Sequence, residues 1–70
     1  MPHWTRWRQR QNLTQAALAK AVGAETSSIS HIEIGRRQPS LALLQRLCDE
    51  LKLTPEERLE AAGLTQKQVA

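Results

Sequence analysis

The chain has 70 residues with a formal net charge of +3, one cysteine, two tryptophans and no Phe or Tyr, and an isoelectric point near 9.8. A domain of this size buries only about 60% of its unfolded surface, which excludes a second core, and the lone Cys48 excludes an internal disulfide and fits a reducing cytoplasm. The N-terminal MPHWTRWRQRQ lacks an apolar signal core and no stretch nears the roughly 18 apolar residues of a membrane span, so the chain reads as soluble, unexported and free of membrane partners.

No alternation of β-branched or aromatic residues marks a strand. The punctuation predicts an all-α domain of five short helices over residues 1–63 and a C-terminal tail over 64–70. The first helix spans His3 to Gln11, with Trp4 and Trp7 on one face, and ends at Asn12, a residue that tolerates the left-handed conformation of a C-cap. Thr14 caps the second, Gln15 to Val22, which points Leu18, Ala21 and Val22 inward and stops at Gly23. The third runs from Thr26 to Ile34 and stops at Gly35. Only Gly23, Ala24 and Glu25 separate it from the second, the connection of a helix-turn-helix.

Pro39 then forces the chain out of helical geometry, and Ser40 caps a fourth helix with an apolar stripe of Leu41, Leu44, Leu47, Cys48 and Leu51. The fifth opens on Thr54, Pro55, Glu56 and Glu57, which combine an N-cap, a proline at the first helical position and the glutamate of a capping box. Gly63 is expected to close it.

The third helix is the least suited to packing. SSISH places Ser27, Ser28, Ser30 and His31 around Ile29, and serine competes with its own backbone for hydrogen bonds. The charge lies in the same half. Residues 1–40 hold Arg6, Arg8, Arg10, Lys20, Arg36 and Arg37 against Glu25 and Glu33, a net +4. Residues 41–70 hold Arg46, Lys52, Arg58 and Lys67 against Asp49, Glu50, Glu56, Glu57 and Glu60, a net −1. A polyanion such as nucleic acid suits the basic half.

The string LTQAALAKAVGAETSSISHIEIGRRQPSLALLQRL resembles the Cro and phage-repressor type helix-turn-helix proteins, the Xre family, through Leu13, Thr14, Gln15, Leu18, Ala19, Gly23, Ile29, Ile32, Glu33, Gly35, Pro39, Ser40 and Leu41. The resemblance implies a lambda-repressor-like fold whose third helix lies in the major groove of double-stranded DNA. Thr26, Ser27, Ser30 and His31 would then meet base edges, while Gln15, Arg36 and Arg37, with Arg10 as a further candidate, would meet phosphates. It also implies a structural ion pair between Arg8 and Glu33. Three positions depart from the family pattern: Glu25 replaces a small cap, Ala17 the acidic residue of a capping box, and Lys52 a glycine.

On this reading the protein is a transcriptional repressor, dimeric on an inverted repeat, with Leu53, Leu59, Leu64 and Val69 as candidate dimer surface. An antitoxin gripping a protein toxin through its acidic half and a protein-binding adaptor without DNA contact are the rival functions. Trp4 and Trp7 among arginines also suit a membrane-interface peptide, but a domain without Phe or Tyr needs them in its core. His3, His31 and Cys48 share no metal-ligand spacing and form no nucleophile set, so neither a metal, a cofactor nor an enzyme is expected.

Overall fold

The protein is described by a computed structural model over residues 3–65. The helices are α1 (His3–Arg10), α2 (Gln15–Val22), α3 (Thr26–Glu33), α4 (Leu41–Glu50) and α5 (Pro55–Thr65), with no strand among the described residues. Their starts follow from side-chain chemistry. Thr14 Oγ1 accepts from the Ala17 amide at 3.0 Å and Ser40 Oγ from the Leu43 amide at 3.2 Å. At α5 the box is reciprocal: the Glu57 amide donates to Thr54 Oγ1 at 3.1 Å and the Thr54 amide to Glu57 Oε1 at 3.0 Å. Ala17 thus leaves α2 with half of such a box. Glu25 precedes α3 in extended conformation and its side chain makes no capping bond.

The ends of α1 to α4 share one device, a left-handed residue whose amide, with that of the next residue, bonds back into the last turn. Asn12 and Leu13 bond the carbonyls of Gln9 and Arg8, and Gly23 and Ala24 those of Lys20 and Ala19. Gly35 and Arg36 bond those of Ile32 and His31, and Lys52 and Leu53 those of Asp49 and Cys48. The left-handed residues have φ of 60° at Asn12, 73° at Gly23, 82° at Gly35 and 54° at Lys52. Lys52, where the resemblance led one to expect glycine, therefore takes the left-handed backbone itself, against the steric preference of a residue with a Cβ.

Helix α5 differs from expectation, because it continues through Gly63 to Thr65 and so crosses the boundary drawn between residues 63 and 64. Gly63 is not among the left-handed residues. A glycine costs only about 1 kcal/mol inside a helix, and it ends one only where the chain turns left-handed.

The core gathers from every helix. Trp4 and Trp7 meet edge to face with centroids 5.2 Å apart, and they pack with Leu18, Val22, Ile29, Ile32, Leu47, Leu51 and Ala61. Helix α3 lies against α2 and α1, and α4 against α2 and α5. Two inward assignments and one outward assignment change. Ala21 is exposed and Ala19 is buried in its place; the two lie equally far, about 80°, to either side of the face centred on Leu18 and Val22, so the packing of neighbouring helices and not periodicity decides between them. Leu41 is 71% exposed, one turn beyond the packed part of the α4 stripe. Leu53 is 5% exposed, so it belongs to the core and not to a free dimer surface. The left-handed Lys52 turns it inward beside Cys48, the apolar contact that accompanies this type of helix end. Burial pushes the Cys48 thiol up, which keeps it protonated.

Candidate nucleic-acid interface

Helix α3 is held as a platform whose inner side is fully committed. Ile29 and Ile32 are 1% and 4% exposed, and Glu33 is the buried charged residue at its end. Thr26, Ser27 and His31 are exposed on the outer side, while Ser30 is half-buried and therefore recessed behind them. The short α2–α3 turn is braced from behind: Arg46 of α4 donates from Nη1 to the Val22 carbonyl at 3.3 Å.

Glu33 is the hub of the arrangement. Its carboxylate pairs with Arg8 through Nε, with a further bond from Arg8 Nη2 at 3.3 Å. Thr5 Oγ1 donates to it at 2.9 Å and Gln15 Nε2 at 3.0 Å, while Arg8 Nη1 donates to the Leu13 carbonyl at 2.7 Å. One carboxylate thus ties α3 to α1, to the first residue of α2 and, through Arg8, to the segment between them. Burial alone would push the Glu33 carboxyl up, but the bonds from Arg8, Gln15 and Thr5 outweigh it and hold the group below its ordinary range. It is an anion at neutral pH.

The expected phosphate contacts fall into different situations. Gln15 is half-buried at the start of α2, and its amide nitrogen spends one of two protons on Glu33. The second proton remains for an acceptor outside the fold, beside the unpaired amides of the helix start. Arg36 and Arg37 are exposed after α3, and Arg37 Nη1 donates to Ser28 Oγ at 3.1 Å, which lays the loop against α3. Among the described residues Arg36 makes no ion pair.

Arg10 is engaged elsewhere. Its two terminal nitrogens grip both oxygens of Glu57 at 2.8 and 2.9 Å, which fastens α1 to the start of α5. The Arg10 bonds, with the backbone bond from Thr54, lower the Glu57 carboxyl to about 2. We therefore leave Arg10 out of the phosphate set. No local pattern points to this pair, which joins residues 47 positions apart. The Gln15 and Thr5 bonds to Glu33 are equally absent from local sequence, as is Ile34, which is 61% exposed at the end of α3.

A two-helix unit joined by a glycine-initiated turn, with an outer helix face of short polar groups flanked by arginines, defines a helix-turn-helix DNA-binding domain. The model of the family described as a helix-turn-helix domain matches residues 5–61. Over 51 residues the chain is 37% identical to the uncharacterized HTH-type transcriptional regulator YazB of Bacillus subtilis (strain 168), an overlap that covers 73% of this chain and 74% of that one. The chain belongs to the helix-turn-helix domain family.

Proposed function

We propose that the protein binds double-stranded DNA sequence-specifically in the cytoplasm and represses transcription as a dimer on an inverted repeat. The observation that carries this is the outer face of α3, where the exposed Thr26, Ser27 and His31 stand clear of any packing role next to the exposed Arg36 and Arg37. Short hydroxyl and imidazole side chains reach base edges closely, and recessed Ser30 joins them only where the groove wall approaches the helix. Arg36, Arg37 and the free proton of Gln15 supply the sequence-independent grip.

Dimerisation follows from the need for length. The domain measures 34 × 24 × 23 Å and offers one recognition helix, whereas two half-sites on one side of the duplex lie about 34 Å apart. Of the candidate dimer residues Leu53 and Leu59, it is Leu59, 76% exposed on α5, that is available to a second copy. The Leu64 side chain and Val69 lie outside the described residues. Repression needs only that the bound dimer occupy a promoter.

The test is selection of a randomised duplex pool by the purified protein at about 0.15 M salt, followed by sequencing. An enriched inverted repeat is the expected result. Arg36→Ala should then weaken every duplex alike and reduce the salt slope by about 1, whereas Ser27→Ala or His31→Ala should change which sequence is preferred. Enrichment of nothing, together with a protein partner that co-purifies, would replace this reading with that of an adaptor. DNA binding plus a bound toxin would make the protein an antitoxin.

A further inference from the structure

Ile34 lies outside the core cluster. It is 61% exposed, although its amide still donates to the Ser30 carbonyl at 3.1 Å and so keeps it in the register of α3. A single exposed aliphatic residue is ordinary, but this one has a particular place. At about 100° per residue, positions 26, 27, 30, 31 and 34 fall within an arc of about 140°, with Ile34 near its middle. Ile29 and Ile32 point the opposite way into the core. The outward face of α3 thus ends in a bulky apolar group, followed at once by Gly35 in left-handed conformation and by the exposed Arg36 and Arg37.

We propose that Ile34 is a further sequence-reading residue, which selects thymine by apolar contact with its C5-methyl group in the major groove. This rests on the reading of α3 as the groove helix and adds to it a contact of different chemistry from the hydroxyls and imidazole upstream. Thymine is the base that presents a methyl group on that edge. Eight residues of helix separate Thr26 from Ile34, about 12 Å of axis, so the two ends of α3 lie about three to four base pairs apart along the duplex. A side chain with no hydrogen-bonding capacity at that end penalises bases whose polar groups it would leave dry. The neighbouring arginines hold the backbone close enough for the contact.

The experiment runs the duplex selection in parallel with wild-type protein, Ile34→Ala, Ile34→Asn and Ser27→Ala, after thermal melts show that each is folded. The enriched wild-type duplex is then rebuilt with deoxyuridine in place of thymine, one position at a time. The expected result is a thymine column that both Ile34 variants lose, about three to four base pairs from the columns that Ser27→Ala disturbs. Removing that one methyl should weaken wild type about fourfold, the worth of one buried carbon, and leave Ile34→Ala unaffected. Identical thymine columns in all the proteins, or wild-type binding indifferent to every methyl, would overturn the proposal while leaving the groove reading of α3 intact. Failure of wild-type protein to enrich any sequence would overturn both.

Discussion

Removing the carboxylate of Glu33 should cost most of the stability of this domain. The pair it makes with Arg8 is enclosed, with side chains exposed by only 5% and 13%, and deleting one partner of such a pair strands a buried charge at a cost of about 3–5 kcal/mol. Ordinary domains hold about 0.05–0.15 kcal/mol per residue, which for this length is a total of about 4–10 kcal/mol. Glu33→Ala is therefore expected to be marginally folded or unfolded, as read by urea titration of the fluorescence of Trp4 and Trp7. The double variant Arg8→Met with Glu33→Leu should recover at least half of the loss, because it removes the stranded guanidinium as well. The pH dependence has a definite sign. Glu33 has its folded pKa depressed, so its contribution is complete above the unfolded value of about 4.3 and is lost as pH falls through the lower folded value. A loss below about 1 kcal/mol for Glu33→Ala, the range of an exposed pair, would refute the claim that this hub holds α3 in place.

Two other substitutions separate stability from DNA binding. Lys52→Gly should stabilise the domain by about 0.5–1 kcal/mol, because it relieves a side chain held at φ 54° against a smaller entropic cost of glycine; a melting temperature that rises by a few degrees checks it. Arg10→Ala should lower stability yet leave the salt dependence of duplex binding unchanged, in contrast with Arg36→Ala, since its guanidinium is already bonded to Glu57. Glu57 is held at about 2, so its share of stability is present above about pH 4.3 and vanishes as pH falls towards 2. Glu57→Gln should flatten that acid limb in thermal melts recorded between those limits.

Much of this was legible in the linear sequence because the determinants are local. Thr14, Ser40 and the Thr54 to Glu57 box fix three helix starts through bonds that span three residues, and Gly23 and Gly35 mark ends that need a left-handed residue. Together with the spacing of Trp4 and Trp7 and the terminator Asn12, these features give five helices and a helix-turn-helix. Where the rule is local but conditional, the sequence misled: Gly63 resembles a terminator, yet it is not itself left-handed and α5 continues through it to Thr65. The depth of each residue is not local at all. Leu41 and Leu53 are equally apolar, but one is 71% and the other 5% exposed, since only packed neighbours decide what an apolar face covers. The same holds for charge. Arg10 and Arg36 are alike in sequence, and only the tertiary fold brings Glu57 to the first and leaves the second facing outward, because an ion pair between residues 47 positions apart depends on how two distant helices dock.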